Sequence, residues 1–155
     1  MEIVNRSVNM LSIEDGTVSG EMGHVTDLRP DVLARLRDDP NAWLSTLRPD
    51  GSPHLTPVWF VYAESTWWVC CSERNVKVRN LQRDNRVSLA LEDGVQPVVA
   101  EGVATILRDS YPPGIVQAFA AKYAGWDVTT PFERGGARVL LRIPVRRWLL
   151  AGAAQ

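Results

Sequence analysis

The feature that most restricts how this chain can fold is a relay of short apolar segments and tight turns between Asn41 and Ser72. AWLSTL (42–47) runs into RPDGS (48–52), where Pro49 pre-sets φ, Asp50 offers a side-chain acceptor and Gly51 tolerates a positive φ, so the chain doubles back. HLTPVWFVYA (54–63) and TWWVCCS (66–72), joined by Glu64-Ser65, are rich in β-branched and aromatic residues. The spacing predicts three consecutive antiparallel strands. Pro57 has no N–H to give a ladder, which puts an edge or a bulge in the second of them.

The remaining segments extend this pattern. DVLARLRD (31–38), set between Pro30 and Pro40, reads as a short helix, as does NVKVRNLQRD (75–84), with Val78 and Leu81 three residues apart. IVQAFAAKYAG (115–125) places Ile115, Val116, Phe119, Ala120 and Tyr123 on one helical face. RVSLALED (86–93) and PVVAEGVATILRD (97–109) predict strands joined at Asp93-Gly94, the second bent at Gly102, and ARVLLRIPVRRWLLAG (137–152) predicts the last strand. Six strands and three short helices with short connections predict a mainly β antiparallel barrel over residues 28–155. Residues 1–27 show no sustained period and read as a lead-in, either extended or packed on a partner subunit.

Composition narrows the function. With 155 residues and 45% hydrophobic content the chain can bury one core. A formal net charge of -1 excludes the broad positive field expected of a nucleic-acid or anionic-membrane binder, so any anion site must be local. No apolar run approaches the roughly 20 residues that span a bilayer, and MEIVNRSVNM lacks the form of a signal peptide; a cytoplasmic protein is expected. Cys70 and Cys71, adjacent in a strand, should point to opposite faces and remain unbridged. His24 and His54 have no ligand at metal-binding spacing, so no metal site is expected. His54 reads as a polar residue flanking the turn. Hydrolase-elbow, phosphate-loop and dinucleotide-fold motifs do not occur.

One segment departs from this neutrality. SERNVKVRNLQRDNR (72–86) carries Arg74, Lys77, Arg79, Arg83 and Arg86 between two apolar strands. A hydroxyl, free backbone N–H groups, Arg74 and Lys77 at the start of a helix are what a phosphate requires. A solvated helix face, partly neutralised by Glu73 and Asp84, accounts for the same residues. The aromatic cluster Trp59, Phe60, Tyr62, Trp67 and Trp68 is likewise open to two readings, a core with a subunit contact or a wall for a planar ring.

LSTLRPDGSPHLTPVWFVY, the strand ending at Ser72, NVKVRNLQRDNRVSLALED and VVAEGVATI together resemble the split β-barrel superfamily of pyridoxamine 5'-phosphate oxidase-like flavin and deazaflavin oxidoreductases, over roughly residues 31–149. The resemblance implies a six-stranded FMN-binding split barrel, a homodimer and a cofactor in the groove between subunits. It implies phosphate contacts from Ser72, Arg74, Lys77 and Arg79, with Asn80 supporting the loop, and a ring wall formed by Thr56, Pro57 and Val58. The chain lacks the C-terminal substrate motif and proline-rich tail of the true oxidases, and its PVWF and KVRNL segments are similar to the branch that uses coenzyme F420; FMN is the alternative. Asn85 stands where the family often has proline. The implied chemistry is hydride transfer to a conjugated small molecule, with no side chain assigned as acid or base and a proton from solvent or from Tyr62 completing it; a non-catalytic protein that binds a flavin or deazaflavin in the same groove is the alternative. The 126–136 loop and the lead-in are expected at the substrate.

Overall fold

Eight strands and three helices follow one another in the computed structural model, which describes residues 27–153: α1 (Pro30–Asp38), β1 (Ala42–Leu47), β2 (Pro53–Val58), β3 (Phe60–Ala63), β4 (Thr66–Ser72), α2 (Val76–Arg83), β5 (Arg86–Leu91), β6 (Val98–Val103), β7 (Thr105–Arg108), α3 (Pro113–Lys122) and β8 (Arg138–Ala151). The lead-in expected at 1–27 lies, but for Asp27, outside the described residues. All strand pairs are antiparallel, and the sheet runs in the order β2-β1-β5-β6-β8-β4-β3, with β7 beside β8.

The eight strands are the expected six with two of them divided. Segment 54–63 breaks at Trp59, because β2 and β3 stand at opposite ends of the sheet path although only one residue separates them in sequence. The chain thereby curls the sheet on itself and leaves a seam where β2 meets β3. Segment 97–109 breaks at Ala104, whose N–H turns aside to the carbonyl of Asn85 at 2.8 Å. The irregularity expected at Gly102 is a shift in the β6–β8 register between Glu101 and Gly102. A Cβ there would lie 2.6 Å from the Pro144 carbonyl oxygen, so only glycine lets the two backbones approach.

Strand β8 holds the barrel together. Its first half pairs with β4 and β7 and its second half with β6. Alternation along the strands sends Leu44, Phe60, Trp67, Val69, Cys71, Leu89, Val139 and Leu141 into the barrel interior, joined by Val78 and Leu81 of α2. The opposite face of β4 carries Trp68 and Cys70, which pack with Leu140 under Phe119 of α3 and Val128. Strand β4 is therefore buried on both faces. Cys70 and Cys71 sit in different clusters and are unbridged, as their adjacency predicts. Burial raises their thiols to about 11 and about 12, which makes both inert as nucleophiles near neutral pH.

Candidate functional site

The seam is where the backbone is least complete. Strand β3 pairs with β4 only from Thr66 to Val69, so Cys70 to Ser72 have β8 on one side and no strand on the other among the described residues. Strand β2 is likewise an edge, paired with β1 alone. Between these two free edges lies a cavity of about 390 Å³, lined on one wall by Pro57, Val58 and Trp59, on the other by Cys70 and Cys71, and at its rims by Asn75, Lys77, Trp126, Phe132 and Arg138. Backbone groups along such edges are open to water or to a ligand rather than bonded to a neighbouring strand.

Tyr123 sets the shape of the seam. Its hydroxyl oxygen accepts the Phe60 N–H at 2.8 Å and lies within hydrogen-bond reach of the Phe60 and Pro40 carbonyls, so α3 holds the chain where it crosses from β2 to β3. Its ring stacks on Trp59 at 4.6 Å and 3°, while Trp126 meets Trp59 edge-on at 5.1 Å. Trp59 remains 46% exposed, leaving an aromatic surface at the cavity mouth.

A second cavity, about 560 Å³, adjoins the first through Asn75 and Phe132 and is lined by Ser72, Arg74, Glu133, Arg134 and Gly135. The expected phosphate residues are divided between the two. Ser72 donates its hydroxyl to the Gly135 carbonyl and accepts the Arg74 N–H at 3.2 Å, so it anchors the 126–136 loop and keeps no free proton for a ligand. Arg74 lines the second cavity and Lys77 the first. Arg79 is exposed and lines neither, since residues two apart on a helix point in different directions. Asn80 is buried and donates to Thr46 Oγ1 at 3.0 Å, which fixes α2 on β1. Helix α2 starts at Asn75 without a side-chain cap and with no acidic residue in its first turn, leaving its first N–H groups available to an anion.

Thr56 lines neither cavity, but its Oγ1 is buried without a hydrogen-bond partner, as is Nδ1 of His54 one pleat away. Burial, with Arg48 and Lys77 nearby, lowers the His54 pKa, so the imidazole is neutral near pH 7 and presents no charge of its own. Tyr62 is placed elsewhere. It lines a separate cavity of about 520 Å³ between α1, β3 and α3, which corrects the expectation that it donates a proton in the Pro57 cavity.

Sequence reasoning missed Arg138. The first residue of β8, opposite Ser72, it is 8% exposed and lies with its guanidinium carbon 3.6 Å from the Phe132 ring centroid and 4.8 Å from that of Trp126. Nothing near it in the sequence marks it: ARVLLRIPV reads as strand, and only the fold brings its first residue beside Lys77 at the seam.

An open antiparallel barrel split between β2 and β3, with cations and aromatic rings around the split, defines the class of split β-barrels. The chain belongs to the pyridoxamine 5'-phosphate oxidase family, whose profile matches residues 28–151. Its fold is shared by an F420 reductase, at 20% identity over 74% of this chain and 93% of the other with a TM-score of 0.61. It is shared as well by a conserved hypothetical protein from Mycobacterium tuberculosis, at 27% identity over 79% and 85% with a TM-score of 0.62. The heme storage protein HutZ from Vibrio cholerae has it too, at 18% identity over 82% and 96% with a TM-score of 0.66. No curated protein matches the chain in sequence. Among the described residues no helix is long and apolar enough to cross a membrane, and no cluster of metal-ligating side chains occurs.

Proposed function

We propose that this protein is an oxidoreductase that binds coenzyme F420, with FMN as the alternative, and reduces a conjugated small molecule. The observation that carries the proposal is Lys77 beside the uncapped start of α2, in a cavity walled by the free edge at Pro57–Trp59. The residues fit such a cofactor. Lys77 supplies a cation at the cavity rim, the β2 edge can exchange hydrogen bonds with a heteroaromatic ring, and Trp59 offers an aromatic surface.

In this reading Lys77, Arg74 and the first N–H groups of α2 hold the phosphate, and Pro57 and Val58 border the ring, with Thr56 next to them on β2 but outside the cavity. Ser72 and Asn80 act indirectly, Ser72 by tying the 126–136 loop to β4 and Asn80 by fixing α2. Arg79 belongs to the outer face of α2. When bound and reduced, a deazaflavin supplies a hydride to the acceptor's conjugated double bond, and solvent supplies the proton. The chain's own contribution is position, with the Cys70 and Cys71 thiols buried and un-ionised so that the cavity holds no competing thiolate. The similarity in fold to an F420 reductase supports F420. A homodimer is part of the proposal, supported by Trp43 and Leu55, 38% and 59% exposed on the outward face of β1 and β2.

The test is a fluorescence titration of cofactor-free protein with F420 and with FMN, repeated for Lys77→Ala. Micromolar or tighter F420 binding that Lys77→Ala weakens by about ten- to a hundredfold is expected, the loss of one charge-assisted contact. Binding of neither cofactor would sink the proposal. Tight binding without reduction of any acceptor would leave a binding protein.

A further inference from the structure

Arg138 is costly to keep as it stands. A guanidinium carries five N–H donors, and taking it out of water without a counter-charge is unfavourable. Here Nε donates to the Thr130 carbonyl, while Nη1 is shielded from solvent and has no partner at all. Arg138 forms no ion pair among the described residues. The nearby carboxylate of Asp127 is already engaged by the Thr129 N–H at 2.8 Å, the Thr129 hydroxyl at 2.7 Å and the Thr130 hydroxyl at 3.2 Å. The aromatic rings of Trp126 and Phe132 hold the cation in place without satisfying its N–H groups. The rings, Arg138 with its unpartnered Nη1 and the free strand edges all border one cavity.

We propose that Arg138 is a specificity residue that takes the carboxylate of a planar, conjugated acid entering the Pro57 cavity. The rings of Trp59, Trp126 and Phe132 suit a flat apolar body, and a planar fork suits a carboxylate better than any neutral oxygen. Phe132 lies over the guanidinium from the 126–136 loop, which is tied to β4 at Ser72 and Cys70 and to β8 at Arg138. The acid would be the substrate of the reduction proposed above, and on that point the inference rests on that reading.

The test is calorimetric titration of cofactor-free protein with 2-naphthoate and with its uncharged isostere 2-naphthamide, for the wild type, Arg138→Gln and Arg138→Lys. The wild type should bind naphthoate at least about tenfold more tightly than naphthamide, and Arg138→Gln should bring the two within about threefold. Affinity for F420 or FMN should change by less than about threefold in the same variant. Should Arg138→Gln fail to fold, Arg138→Lys decides: naphthoate affinity should fall by about threefold or more with naphthamide unchanged, since an ammonium lacks the fork. No naphthoate binding, no preference in the wild type, or a preference that survives the substitution would overturn the proposal. So would a loss of cofactor affinity as large as the loss of naphthoate, which would assign the guanidinium to the cofactor. Failure of both cofactors to bind would sink the function proposed above while leaving the naphthoate comparison intact.

Discussion

Asn80 donates its side-chain amide to the hydroxyl of Thr46 at 3.0 Å, and both residues are buried, 3% and 1% exposed. The pair joins the helix that carries Lys77 to the strand that supports β2, so the position of the cation relative to the seam depends on it. Asn80→Ala leaves the Thr46 hydroxyl buried and unpaired and should cost about 1–3 kcal/mol in urea unfolding. Asn80→Leu combined with Thr46→Val removes both partners and should cost less than the single change. A double variant less stable than Asn80→Ala would mean that packing, not the hydrogen bond, sets the cost.

Gly102 is a second point where the backbone dictates the residue. Gly102→Ala puts a methyl 2.6 Å from the Pro144 carbonyl oxygen and 2.8 Å from Ile143 Cγ2, in a part of the barrel that cannot open without parting β6 from β8. The overpacking should cost about 1–3 kcal/mol, seen as a lower thermal midpoint. An unchanged midpoint would mean that the strands separate more easily than their pairing implies.

The strands were legible because alternation and turn chemistry are local. RPDGS and Asp93-Gly94 mark the reversals, and Pro57 requires an edge or a bulge in β2, of which the topology shows the edge. The break at Trp59 was not legible, because VWFVY continues the β pattern unbroken and only the ends of the sheet path reveal that the chain changes edges there. The basic segment was recognisable as a group, whereas its division was not. Ser72 is consumed by a carbonyl 63 residues away, and Asn80 by a hydroxyl 34 residues away. Arg138 carried no signal, since its significance lies in the partners it lacks.

Arg79 and Lys77 provide a comparison within one helix. Lys77 borders the cavity and Arg79 points elsewhere, so Arg79→Ala should change F420 or FMN affinity by less than about threefold, consistent with an exposed charge. A tenfold loss in the same titration would return Arg79 to the site.

Lys122 gives a pH dependence of known sign. Burial lowers its pKa to about 8, against the partial compensation of Asp39 and Asp38, while Nζ donates to the Leu36 carbonyl at 3.3 Å and lies 3.6 Å from the Phe60 ring centroid. Because the folded pKa lies below the unfolded one, the unfolded chain binds more protons between about pH 8 and 10.5, and this residue's contribution to stability rises with pH across that window. Unfolding free energies measured from pH 7 to 10 should show a rising component that Lys122→Met removes. A component that persists in the variant would belong to another group.

The most direct measurement is a crystal structure of the protein with F420 bound. The deazaflavin ring should lie against Pro57, Val58 and Trp59, with the phosphate at Lys77, Arg74 and the start of α2, and Arg138 free to face a second ligand. A ring bound on the outward face of β1 and β5, away from the seam, would contradict that placement.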